Sequence, residues 1–296
     1  VQVGLELGAF AWPGGPAAIG TTVARFAQLA DEAGFASLST GDHLWQGFNA
    51  GGEHQPYLEC FTTLAVMAAN TRRCRVSPVV AGVHFRHPAV LAKTITTLDL
   101  LSGGRAGVGL GVGWNADEAT GSGIAFPSVA KRFEMLDETL RILLAYWTGE
   151  QGTENAFHGK HYQLDRVLGV PQSLTRPHPP ILLGGGGEKT LRLVAKYADA
   201  CNLYPTPEMP AQLDRLREIC AETGRDYDEI EKTCCLPFDV GDGSANGTGG
   251  TGELLDTLQQ LGGQGIQTVI GIVATADPVR QVELIGEKVL PALGTR

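Results

Sequence analysis

The strongest constraint on this chain is the order in which its hydrophobic patterns come. Short strand-like runs alternate with longer runs of helical period, and the pair repeats eight times. The strand-like runs fall at 3–10, 37–43, 75–83, 106–113, 181–183, 201–204, 233–240 and 267–273. Between them lie helical runs such as 19–33, where Val23, Phe26, Ala27 and Ala30 share one face and Gly34 supplies a stop. The clearest helix carries Phe133, Leu136, Leu140, Leu143, Leu144 and Trp147 at spacings of mostly three and four. Eight such pairs predict an α/β chain folded as a (β/α)₈ TIM barrel, because an open doubly wound sheet usually shows fewer.

The 296 residues suit one barrel domain spanning 1–296, since such barrels take about 250 residues. The surplus is accounted for at about 149–180, after the fourth helix. There the helical period stops and a Pro-rich run, Arg176-Pro177-His178-Pro179-Pro180, precedes the fifth strand, so we read an insertion with a hairpin. His158 and His161 fall in it as surface residues. The run 241–252 is low in complexity and reads as a loop.

Forty glycines and a charged fraction of 19% fit a buried parallel sheet with short loops. A formal charge of −9 gives no support for nucleic-acid or anionic-membrane partners. The six cysteines show no CxxC or metal-type spacing, so they read as free thiols, with no metal site expected. With no apolar run long enough to span a bilayer and no leader before the first strand, the expectation is a cytoplasmic protein.

In this fold, chemistry sits just after the strands. Gly184-Gly185-Gly186-Gly187 follows the fifth strand and opens a helix, which suits a phosphate held by free N–H groups, with Thr190 as an added donor. It is not a P-loop, for no Gly-Lys-Ser/Thr follows. Asp42-His43 ends the second strand, and a carboxylate beside an imidazole can tune proton transfer. Trp45 follows, to wall a flat ring or to cover the barrel rim. Trp114 and Asn115 leave the fourth strand; Asn115 suits the edge of a heteroaromatic ring and equally a helix N-cap. Glu118 needs no role beyond a first-turn carboxylate. His84 and His87 flank Arg86 without a third metal ligand, and His87-Pro88 reads as a helix start.

Several segments together resemble the luciferase-like monooxygenase superfamily, and within it the deazaflavin-dependent oxidoreductases. They are Ala33-Gly34-Phe35 with Gly41-Asp42-His43, then Phe85-Arg86-His87-Pro88-Ala89, Thr97-Leu98-Asp99-Leu100-Leu101-Ser102-Gly103-Gly104-Arg105 and Gly109-Leu110-Gly111-Val112-Gly113-Trp114. Arg132-Phe133-Glu134, Leu183-Gly184-Gly185-Gly186-Gly187 and Tyr197-Ala198-Asp199-Ala200-Cys201-Asn202 complete the set. The resemblance implies a flavin or deazaflavin above the strand ends and a homodimer. It implies a non-proline cis peptide backing the ring at Val79-Val80, with Ala81 adjacent, and a phosphate loop of Gly185, Gly186, Gly187 and Thr190. Asp42 contributes to the cofactor site, and His43 acts as proton donor or stabiliser in hydride transfer. Trp114 stands where some relatives carry a small hydroxyl residue, leaving it to face substrate with Trp45. Trp45 itself is not at the spacing of the tryptophan in sugar-phosphate relatives, so a sugar phosphate is not the expected substrate.

The expected activity is hydride transfer between coenzyme F420 and a small organic substrate. Two alternatives share the fold: an FMN-dependent monooxygenase served by a partner reductase, and a non-catalytic flavin- or deazaflavin-binding protein.

Overall fold

The structure is a computed structural model that describes residues 1–47, 51–149, 155–241 and 249–294. Strands β1 (Gln2–Leu7), β2 (Ser37–Thr40), β3 (Arg75–Pro78), β4 (Ala81–Gly82) and β5 (Val108–Gly111) come first, with β6 (Asn155–His158) and β7 (Gln163–Val167) after them. Strands β8 (Ile181–Gly184), β9 (Ala200–Leu203), β10 (Glu231–Pro237) and β11 (Thr268–Val273) close the series. The helices are α1 (Pro16–Ala33), α2 (Cys60–Ala69), α3 (Pro88–Ser102), α4 (Ala116–Gly121), α5 (Val129–Thr148), α6 (Glu188–Tyr197), α7 (Met209–Thr223), α8 (Thr251–Gly263), α9 (Pro278–Lys288) and α10 (Leu290–Leu293).

All strands except β6 and β7 pair in one parallel sheet in the order β3-β2-β1-β11-β10-β9-β8-β5-β4. β3 and β4 are two halves of one interrupted strand. One half pairs with β2 and the other with β5, and a parallel bridge from Val76 to Ala106 brings the ring round. The predicted barrel is present, with its third strand broken at a cis Val79-Val80 peptide, the bond that the resemblance implies. Between α5 and β8, β6 and β7 form a separate antiparallel pair. Residues 150–154, at the start of the predicted insertion, lie outside the described residues, as do 242–248 of the low-complexity run.

Alternation along each strand decides what faces the barrel axis. In β1, Val3, Leu5 and Leu7 are buried in the core shared with the helices, which leaves Gly4, Glu6 and then Gly8 to point inward. Val80 fills much of the interior beside the break. A Cβ on Gly111 or Gly184 would come within 3.0 or 3.1 Å of its methyls, and one on Gly109 would meet the Pro78 carbonyl at 2.2 Å. The Gly-rich fourth strand is thus a requirement of close approach. Outside the barrel, α5 buries Leu136, Leu140, Leu143 and Trp147, the face read from the sequence.

His161 departs from expectation. Its side chain is 10% exposed and Nε2 lies 2.7 Å from Glu134. Glu138 of α5 accepts the backbone N–H groups of Lys160, His161 and Tyr162 at 2.6–3.0 Å, docking the β6–β7 turn onto the helix. All six cysteines are free and buried. Among the described residues there is no cluster of metal-ligating side chains, and no helix is long and apolar enough to cross a membrane.

Candidate functional site

A cavity of about 600 Å³ opens where the strands end, within the usual range for ligand pockets. The second strand delivers its first polar groups. Ser39 and Thr40 donate their hydroxyls to Leu5 and Leu7 carbonyls at 3.1 and 2.9 Å, locking β2 against β1 just before Gly41-Asp42-His43.

Asp42 and His43 do not pair with each other. Asp42 takes Arg86 at 2.6 Å and the Gly82 N–H at 3.3 Å, and Arg86 reaches on to Glu59, the N-cap of α2, at 2.6 Å. Burial raises the Asp42 carboxyl above the usual range, with the Arg86 guanidinium opposing the rise. His43 Nδ1 instead lies 2.8 Å from Glu118 Oε2. Glu118, read from sequence as a first-turn carboxylate, is fully buried and also accepts the N–H groups of Leu44 and Trp45. Burial pulls its carboxyl up, but the bonds from His43 and these two N–H groups outweigh that and hold it below the ordinary value. An ionised Glu118 accepting from Nδ1–H leaves Nε2 of His43 as the ring nitrogen for the cavity.

Asn115 caps α4 by accepting the Glu118 N–H at 3.2 Å, which leaves its amide nitrogen free of that cap for a ligand. The residue also lines the cavity, as do Asp42, His43, Val79, Val80, Ala81, Trp114 and Gly185. Trp114 stands at the mouth, edge-on to His43 with ring centroids 5.5 Å apart. Trp45 is not part of this lining; its ring tip lies 2.5 Å from the point where a Cβ on Gly121 would stand. The ring therefore lies against α4 at the barrel rim.

The glycine loop is split. Gly185 lines the cavity at φ +117°, where only glycine sits comfortably, and donates its N–H to the Asn202 carbonyl at 3.0 Å. Gly186 lies under the Gln212 side chain, and Thr190 is buried against Gly185. Gly187 is the N-cap of α6 and offers no side-chain cap, so the first helical N–H groups are left for an external acceptor. Glu188, the carboxylate that would repel an anion there, is tied to Arg192 and Arg215, and Arg215 holds it down at about 2.

Other lining residues carried no weight in the sequence reading. Tyr57 precedes α2 and meets His43 edge-on at 5.9 Å. His84 follows β4 and packs on Gly82 and Gly113, with both ring nitrogens buried and without a hydrogen-bond partner among the described residues. Burial and the charge of Arg132 push its pKa down to about 4, so it is neutral. Position just after a strand end was the signal for His84. For Glu6 on β1, which also lines the cavity, it was an acid at an inward position of an apolar strand.

Residues 6–246 match the model of the luciferase-like monooxygenase family. The chain belongs to that family. An F420-dependent glucose-6-phosphate dehydrogenase of Nakamurella multipartita is 31% identical over 220 residues, covering 71% of this chain and 60% of that protein. An FMNH(2)-dependent dimethylsulfone monooxygenase of Pseudomonas putida is 26% identical over 202 residues, 68% of this chain and 53% of that one. In fold, an F420-dependent secondary alcohol dehydrogenase in complex with an F420-acetone adduct superposes with a TM-score of 0.83 at 18% identity, covering 99% of this chain and 98% of that one. Luciferase-like enzymes thus include both F420- and FMNH2-dependent relatives of this chain, which match it over about half to three-fifths of their own length.

Proposed function

We propose that this luciferase-like protein is an oxidoreductase moving a hydride between coenzyme F420 and a small organic substrate, on a single barrel domain. The observation that carries the reading is the Glu118–His43 pair at 2.8 Å in a cavity that Val79 and Val80 also line. The cavity fits a flavin-like group on three counts. Val79, Val80 and Ala81 give the lining an apolar stretch for a ring, the ring nitrogens of His84 have no partner among the described residues, and the bare N-terminus of α6 suits a phosphate.

When bound, the cofactor supplies the hydride chemistry. The chain's residues do the rest. Gly185, Gly187 and the first turn of α6 hold the phosphate end, with Gly186 and Thr190 shaping the loop. Val79, Val80 and Ala81 would orient the ring, with the Asn115 amide and Asp42 available to contact it. Trp114 narrows the mouth and shields the reacting carbon from water, and Trp45 braces that rim through α4. His43 Nε2 takes up the proton released when a substrate alcohol gives up a hydride, and returns it in the reverse direction. Glu118 keeps the imidazole in the tautomer that allows this and stabilises its charged form.

The second reading is an FMN-dependent monooxygenase with a partner reductase, favoured by the dimethylsulfone monooxygenase relative. Fluorescence titration of the purified protein with each cofactor separates them: F420 binding with weaker or no FMN binding is expected, and tight FMN binding without F420 binding overturns the first reading. A non-catalytic carrier would bind cofactor but turn over no alcohol or ketone in a substrate panel.

A further inference from the structure

Glu6 lies at the floor of the same cavity and has no part in the chemistry assigned above. It is 8% exposed. Its hydrogen-bond partner among the described residues is the Cys235 thiol of β10, which donates to Oε2 at 3.5 Å and is a weak donor. Oε1 lies 3.5 Å from the point where a Cβ would stand on Gly41. The Tyr57 hydroxyl and His43 Cδ2 lie 2.7 and 3.4 Å from that same point. A carboxyl, a phenol and an imidazole therefore converge on the gap that Gly41 leaves by having no side chain.

The titratable groups facing Glu6 are Cys235, His43, Tyr57, Cys60 and Tyr204, with no lysine or arginine among them. Arg86, a cation beside the cavity, is engaged by Asp42 and Glu59. Burial without a fixed positive charge pushes the Glu6 carboxyl up to about 7, and the same burial raises Tyr57, Cys60 and Cys235. The floor of the cleft is thus an acid-lined surface whose acids keep their protons at neutral pH or close to it.

We propose that Glu6 is a ligand-contacting residue of this cleft, a neutral carboxylic acid that donates its proton in a hydrogen bond to an uncharged oxygen acceptor. The acceptor is a carbonyl or hydroxyl oxygen, supplied by the ring of the cofactor or by the substrate. This deepens the functional reading by giving the floor a ligand class. It rests on the cleft being the binding site and not on which cofactor fills it.

Carbon-13 NMR of glutamate-labelled protein, with the Glu6 signal assigned through Glu6→Gln, reads the titration with no ligand present. A midpoint near 7 is expected. A midpoint at the ordinary glutamate value of about 4.3 overturns the proposal whatever the cofactor proves to be. Calorimetric titration at about pH 6 and about pH 8 then uses F420, FMN, cyclohexanone and cyclohexanecarboxylate as probes. The neutral acceptor that touches Glu6 binds about 10-fold more weakly at the higher pH, as the protonated fraction falls. Glu6→Gln, whose amide still donates, abolishes that dependence, and at about pH 8, where the wild-type carboxyl is ionised, it binds cyclohexanecarboxylate about 10-fold more tightly than wild type. A Glu6-dependent effect confined to F420 or FMN assigns the acceptor to the ring, and one confined to cyclohexanone assigns it to the substrate. Binding of every probe with the same pH profile in wild type and Glu6→Gln overturns the proposal. Absence of F420 binding alone overturns the cofactor reading and leaves the NMR result standing.

Discussion

Glu118 and Glu6 line one cavity, and both are shielded from solvent, yet their pKa values move in opposite directions. Glu118 accepts from His43 and from two backbone N–H groups, and is held below the ordinary carboxylate range. Glu6 accepts from a thiol, with no lysine or arginine facing it among the described residues, and burial pushes it up to about 7. Burial penalises the charge of both; the number and strength of donors decides which one keeps it. The cleft thereby holds a fixed anion that orients an imidazole on one side and a neutral acid on the other. Pairs of titratable groups pushed apart in this way are what acid–base chemistry near neutral pH requires.

The largest effect is expected at the imidazole that the fixed anion serves. His43→Ala lowers kcat by about 10²–10⁴-fold on any substrate the wild type turns over, and Glu118→Gln falls between the two. Steady-state turnover of F420 reads this, and a wild-type rate in His43→Ala removes His43 from the chemistry. Stability separates the two carboxylates next. Glu118→Ala strands three donors and costs about 3–5 kcal/mol in urea unfolding near neutral pH, whereas Glu6→Ala costs well under half of that. Equal losses would erase the distinction drawn between them.

The pH dependence has opposite sign at the two sites. The Glu6 pKa is raised on folding, so wild-type stability is full below about 4.5, the unfolded value, and is lost as pH rises through about 7. Relative to Glu6→Gln, wild type should lose roughly 3 kcal/mol over that window, read as urea midpoints at successive pH. Glu118 is lowered on folding, so its contribution is present above the ordinary glutamate pKa and lost as pH falls through the folded value. Glu118→Gln should therefore converge on wild type only in acid. The smallest effect is expected at Gly41→Ala, whose new methyl meets the Tyr57 hydroxyl at 2.7 Å. A cost of about 1–2 kcal/mol, with a shifted Glu6 titration by NMR, is expected, and an unshifted titration would show that the three groups do not share one space.

The residues that revealed the fold are those whose role is local or periodic. The α5 stripe, the Gly34 stop and the strand runs act through spacing along the chain, so they are legible in it. The site was legible in part. Asp42, His43, Asn115, Trp114 and Gly185 line the cavity, because they sit just past strand ends and that address can be read from sequence, while Val79, Val80 and Ala81, which also line it, were implied by the family resemblance alone. Trp45 and Thr190 share such addresses but face elsewhere, since the next few residues decide which way a side chain turns. The partner of His43 was not legible. Sequence adjacency pointed to Asp42, while the contact is with Glu118, 75 residues away.

By itself the amino-acid sequence determined the alternation that closes the barrel, the glycines that let Val80 and the fifth-strand loop take their places, and the face on which polar residues collect. These are properties of period, backbone freedom and side-chain volume. Only the tertiary structure decided which carboxylate meets His43, which meets Arg86, and which meets nothing stronger than a thiol. A charge state depends on the donors and solvent that surround a group in space, and in a barrel those come from strands far apart in the chain.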